Sequence, residues 1–177
     1  LHATVDFTDI AGLVRGASKG EGLGNQFLGN IRECDAILEV VRCFDNDDVV
    51  HVEGSVDPIR DIGIIETELV LADLQSLEKR LDRLSRQARA DKSLAKEVEA
   101  MTKLQQHLDA GEPVRTFVCD DPDAIAPCRR DLHFLTDKPV IYVANVGEED
   151  LGGEDNAHVK ALKAYAAERQ CDTVVIC

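Results

Sequence analysis

The chain has 177 residues, with 20 Lys and Arg against 34 Asp and Glu and a net charge of −14. Its 44% hydrophobic content is enough to build a core and excludes wholesale disorder, and no apolar run approaches the ~18 residues of a membrane-spanning helix. The acidity excludes a protein that coats nucleic acid non-specifically, because phosphates would be repelled over most of its surface.

The opening Leu1-His2-Ala3-Thr4 has no basic region followed by an apolar one, so no secretory signal is expected. Alternation through Thr4 to Asp9 predicts a strand at about 3–9. A chain that starts without Met and directly in a strand pattern is expected to be an internal piece of a longer protein. Residues 11–24 hold five glycines, the mark of a mobile loop or of backbone that must approach something closely. Asn25 to Cys34 reads as a helix with Phe27, Leu28 and Ile31 on one side. The run Ala36 to Phe44 is almost continuously apolar, as in a strand of a parallel sheet. An acidic loop follows, then His51, then Asp57-Pro58, a helix-start signal.

Val70, Leu74, Leu77, Leu81, Leu84 and Ala88 are spaced as a heptad seam. The seam breaks near Ala90-Asp91-Lys92-Ser93, and a second helical pattern runs from Leu94 to Leu108 and stops at Gly111-Glu112-Pro113. An antiparallel helical hairpin is expected, projecting as a coiled coil because its seam is narrow. Asp123 to Leu132 predicts a short helix, Val140 to Asn145 a buried strand, Ala157 to Gln170 an amphipathic helix and Asp172 to Cys177 a last strand. The rhythm is that of an open, mostly parallel α/β sheet. Residues 1–58 and 113–177 are assigned to the α/β domain and 59–112 to a helical coiled-coil insertion.

Two short motifs carry chemistry. Asp9-Ile10-Ala11-Gly12 is a DxxG turn at a strand end. In nucleoside-triphosphatases the Asp of such a turn holds a magnesium-bound water and the Gly amide approaches the γ-phosphate, although most isolated DxxG strings are ordinary turns. Asn145-Val146-Gly147-Glu148 follows a later strand, where a guanine reader would have NKxD. Val146 in place of Lys and Glu148 in place of Asp point to relaxed or adenine preference. Isolated, the tetrapeptide says little; in this order, on the carboxyl ends of two strands, the two motifs support one another. The six cysteines form no CxxC or zinc-spaced cluster and read as reduced thiols, several buried, in a cytosolic protein; a redox role for one of them stays open.

The string from Asp9 to Leu28 resembles the switch II segment of the YchF/Obg-like ATPase family, and the resemblance continues through Asn30 to Ile37, Val40 to Phe44, Val50 to Gly54 and Val56 to Pro58. It implies a translation-factor-related P-loop fold with a coiled-coil insertion, magnesium-dependent hydrolysis of ATP with GTP also accepted, a cytoplasmic location and association with ribosomes. No GxxxxGK(S/T) string, switch I segment or TGS domain is found in the 177 residues, so the isolated chain is not expected to hydrolyse ATP.

The resemblance also implies roles. Asp9 would organise Mg2+ through water, and the Gly12 amide would meet the γ-phosphate. Leu13 stands where a Ras-like enzyme carries the water-orienting Gln, and leucine cannot do that work. His51 is the candidate replacement, since a neutral imidazole can orient water or shuttle a proton near pH 7; the bland alternative is a surface histidine. Residues 16–24 would form a switch ordered by the γ-phosphate. Asn145, Val146 and Glu148 would face the base. Between Lys79 and Lys103 eight basic residues accompany four acids. Such a basic hairpin suits ribosomal RNA, or is a solvated face of internal ion pairs. The rival functional class is a non-enzymatic RNA- or protein-binding module built on the hairpin.

Overall fold

A computed structural model describes residues 4–9, 23–45 and 55–177. Their elements in chain order are α1 (Leu23–Glu33), β1 (Ile37–Arg42), α2 (Pro58–Ala88), α3 (Ala95–Asp109), α4 (Pro122–Leu132), β2 (Val140–Asn145), α5 (Ala157–Glu168) and β3 (Asp172–Ile176), with 3-10 turns at 92–94, 114–116, 135–137 and 148–150. No helix among the described residues is long and apolar enough to cross a membrane.

The three strands form a parallel sheet in the order β1-β2-β3. Val40 pairs with Val143 and Val143 with Val174, while Arg42 pairs with Asn145 and Asn145 with Ile176. The carboxyl ends of all three strands therefore lie level along one edge. On one face Val41, Tyr142, Ala144 and Val146 share a core with Ile62 of α2 and with Val159, Leu162 and Ala166 of α5. The opposite face presents Leu38, Val40, Val174 and Ile176, each more than a third exposed.

Local signals explain the helix starts. Asp57 accepts from the Arg60 N–H and is followed by Pro58 at the first helical position. Asp121 and Pro122 do the same for α4, with the Ala124 N–H as donor. In each case a side-chain oxygen satisfies an orphan amide, and proline occupies a position where no N–H is needed. At the other end of α3, Gly111 adopts φ +85°; its N–H donates to Leu108 O and the Glu112 N–H to His107 O. That double bond pattern needs a left-handed residue, which glycine adopts without strain.

α2 and α3 pack antiparallel, as the Arg80–Glu97 and Glu78–Gln105 side-chain bonds show by running in opposite sequence senses. The seam residues Leu77, Leu84, Met101, Leu104 and Leu108 are buried together with Ile125 and Cys128 of α4, Val114 and Phe134. The seam is thus closed by a third helix and the adjoining turns, which give the narrow stripe a wider core than two helices alone would provide. The first half of α2 packs elsewhere: Ile62 belongs to the sheet core, and Leu69 and Ala72 join Leu28 and Ile31 of α1 and Leu135. One continuous helix serves both cores, although the sequence expectation assigns everything from residue 59 to the insertion.

The strand expected at 3–9 is not found in its described part, residues 4–9. Residues 4–9 carry no regular structure, and Val5 and Phe7 are 69% and 78% exposed. Alternation supplies an apolar face, but a strand also needs a ladder partner and a core to cover that face. Among the described residues this segment has neither.

Candidate functional site

Asn145 ends β2 half-buried, between Arg42 of β1 and Ile176 of β3. Its carbonyl accepts from the Cys43 N–H at 2.7 Å, and the Val146 N–H donates to Ile176 O at 2.9 Å. Chain pairing thus continues one residue past β1 and past β2 and fixes where the loops after them leave the sheet. Val146 is only 3% exposed and sits within the sheet core. Its side chain is a packing group in this arrangement, a reason in itself for valine at that position. Glu148, by contrast, is exposed and opens the 148–150 turn, which is closed by the Asp150 N–H to Gly147 O and the Leu151 N–H to Glu148 O.

Two side chains that the sequence analysis does not single out complete the edge. Asn156 caps α5 by accepting from the Val159 N–H at 3.0 Å, and its Nδ2 donates to Cys43 O and to Asp150 Oδ2, each at 2.8 Å. His158 places Nε2 3.2 Å from Asp45 Oδ2. An Asn directly before a helical pattern is a legible N-cap signal, but a bond to a carbonyl 113 positions away leaves no local trace.

Asp9 is exposed, and among the described residues it makes no hydrogen bond or ion pair that would tie it to 145–148. Gly12, Leu13 and His51 lie outside the described residues, as does most of the glycine-rich segment. No three His, Cys, Asp or Glu side chains gather into a metal cluster among the described residues. All six cysteines are free thiols. Burial pushes the Cys43 thiol at this edge up to about 11 and holds it protonated at neutral pH, unsuited to nucleophilic or metal-ligand chemistry.

Level carboxyl ends of parallel strands, followed by loops that carry an amide, a carboxylate and a capped helix, make this a parallel α/β protein of the kind that binds ligands outside the strand ends. No family model matches the chain. It is 44% identical over 176 residues to the ribosome-binding ATPase YchF of Bacillus subtilis, covering 97% of this chain and 47% of that protein. It is 47% identical over 178 residues to the ribosome-binding ATPase YchF of Haemophilus influenzae, covering 100% and 48%, and 40% identical to the Obg-like ATPase 1 of Caenorhabditis elegans, covering 98% and 44%. The solved structure of the Schizosaccharomyces pombe YchF GTPase matches with a TM-score of 0.73 and 35% identity, over 91% of this chain and 44% of that one. The chain belongs to the YchF/Obg-like family. It spans about half the length of the curated relatives it matches.

Proposed function

We propose that this chain carries the base-side loop and the switch II side of the nucleotide site of a cytoplasmic, ribosome-associated P-loop ATPase. The observation that carries the reading is the level strand edge: it sets Asn145 and Glu148 at the carboxyl end of the central strand, where nucleotide ligands of parallel sheets bind. Identity of 40–47% to ribosome-binding and Obg-like ATPases along nearly the whole chain adds to it. Asn145 offers an amide to the N6/N7 edge of a purine, and Glu148 offers a carboxylate one methylene longer than the Asp of a guanine reader. Guanine then loses the clamp on N1 and N2, and ATP is bound at least as well as GTP. Val146 acts as the packing residue that seats the loop, in place of a lysine stem laid along the nucleotide.

Hydrolysis is phosphoryl transfer to water. The Gly12 amide approaches the γ-phosphate, and Leu13 leaves the attacking water without the usual Gln. The His51 imidazole, in its neutral form, orients that water and accepts its proton. Mg2+ suits the donor set: Asp9 is an exposed carboxylate that would hold the ion through a bound water, and magnesium keeps several waters beside its phosphate oxygens. When bound, it neutralises charge developing on the phosphate oxygens. α2 and α3 form the coiled-coil unit. Arg80 pairs with Glu97 and with Asp131 of α4, Arg86 with Asp82, Lys96 with Asp121 ahead of α4, and Lys103 with Glu99 and with Asp120, also ahead of α4. Lys79, Arg83, Arg89 and Lys92 show no such pair among the described residues and are the cations offered to ribosomal RNA.

The test is steady-state hydrolysis by the full-length gene product. His51→Ala should lower kcat on the order of 10²–10³-fold with nucleotide affinity nearly unchanged, and Asp9→Ala should abolish the magnesium-dependent hydrolysis. Equal kcat in wild type and the His51 variant removes His51 from the mechanism. No nucleotide binding by the full-length protein would leave the binding-module reading.

A further inference from the structure

Every polar atom of the Asn156 amide has a partner. Oδ1 accepts from the Val159 N–H at 3.0 Å; Nδ2 gives one hydrogen to Cys43 O and the other to Asp150 Oδ2, both at 2.8 Å. The opposite orientation of the amide would set its oxygen against two acceptors and its NH2 against an N–H, so the network fixes which way it points. Three elements meet on this one half-buried side chain: the carboxyl end of β1, the 148–150 turn and the first turn of α5. The turn's own backbone bonds, from Asp150 to Gly147 and from Leu151 to Glu148, are internal. They hold its shape without fixing it to the sheet. The Asp45–His158 contact also spans β1 and α5, but it involves an Asp that is 82% exposed and does not touch the turn.

We infer that Asn156 is a positioning residue for base discrimination, holding the turn that carries Glu148 against the carboxyl end of β1. The inference rests on the proposed assignment of Asn145 and Glu148 to the base. Asn156 acts through Asp150 and needs no contact with the nucleotide. A capping residue alone would require only the Oδ1 acceptor, which Ser, Thr or Asp supply equally well. Asparagine is the capping residue that adds two donors, and both are used here across the fold.

The experiment separates capping from positioning. Asn156→Asp keeps the acceptor for the Val159 N–H, removes both donors and sets a carboxylate against Asp150. The double variant Asn156→Asp with Asp150→Asn returns a donor to the 150–156 contact with the roles exchanged. ATP and GTP affinities of the full-length gene product are measured by competition for wild type, both variants and Glu148→Ala. Hydrogen exchange at the Asp150 and Leu151 amides is followed alongside. The expected result is a change of at least fivefold in the ATP-over-GTP ratio for Asn156→Asp, in the same direction as for Glu148→Ala. Exchange at the two turn amides should be faster, and the double variant should recover at least half of the logarithmic shift. A Glu148→Ala shift without an Asn156→Asp shift overturns the inference and leaves the base-reading assignment standing. No shift in either variant, or no nucleotide binding, sinks both. An equal loss of ATP and GTP affinity in Asn156→Asp, unrescued by the double variant, makes Asn156 a cap only.

Discussion

Glu39 gives the most direct test of the packing beneath the sheet. It lies mid-way along β1, opposite Tyr142 in the register, and its Oε1 is sealed from solvent without a hydrogen-bond partner. Burial pushes its carboxyl up to about 8 from an ordinary 4.5, the Glu66 carboxylate adds to the rise, and the Arg115 guanidinium opposes it. Glu66 is itself engaged by Arg115 and lies 3.5 Å from the Tyr165 hydroxyl, so Arg115 cannot serve both acids fully. The folded pKa is raised, so the neutral form favours the native state. Glu39's contribution is fully present below pH 4.5, falls as the unfolded chain ionises, and levels off once the folded carboxyl ionises near pH 8. One proton taken up on folding gives a slope of about 1.4 kcal/mol per pH unit, and across this window a loss on the order of 3–5 kcal/mol. Glu39→Gln keeps the shape of the neutral acid and abolishes its titration. Urea denaturation followed by circular dichroism at unit steps from pH 5 to pH 9 should show the variant overtaking wild type as pH rises. Taking the difference between the two curves cancels every other titrating group. A difference that stays constant with pH would refute the buried-carboxyl account, whatever its size.

Other outcomes follow from single contacts. Asp73 is fully buried and accepts from the Leu135 N–H, the Thr136 N–H and the Thr136 hydroxyl at 2.7–2.9 Å, so Asp73→Ala should cost about 3–5 kcal/mol in urea denaturation. A loss below about 1 kcal/mol would mean that water replaces the carboxylate. Val146→Lys places an ammonium at a position only 3% exposed and should destabilise the fold by about 3 kcal/mol or more; an unchanged denaturation midpoint would show that the side chain can turn outward. Glu148→Asp avoids that damage and, in competition binding, should move preference toward GTP by roughly 1–3 kcal/mol. An unchanged ratio would detach Glu148 from the base.

Most of the element order was legible because its signals are local. The Asp57-Pro58 start, the Gly111 stop and the apolar runs of β1 and β2 are properties of a few neighbouring residues, and each lies where the sequence places it, while α4 begins at Pro122, one residue before the expected Asp123. What escaped depends on distant partners. The alternation at 4–9 has the right period, but no strand lies beside it among the described residues. The stripe along α2 and α3 reads as a two-helix seam because nothing in its spacing announces that Ile125 and Cys128 of α4 close it. Val146 looks like a lost lysine when judged by motif and like a core residue when judged by its place between Ala144 and Ile176.

The same difference separates the residues of the candidate site. Asn145 and Glu148 could be picked out because they sit in a recognisable order at a strand end. Asn156 shows only its capping half, which is local, while the half that ties β1 to the turn is set by the parallel register. That register brings Cys43 beside Asn145 and so within reach of the residue that caps α5. α2 ties the two parts of the molecule together by the same means. Asp73 on α2 holds the turn before β2 through two backbone amides, and Glu66, about two turns earlier, holds Arg115. Arg115 in turn donates to Thr136 O, so both acids of α2 converge on the 135–137 turn from which β2 departs. α2 therefore also sets the position of the central strand. Substitutions at Asp73 and Glu66 should be felt at the strand edge as well as in the helical core.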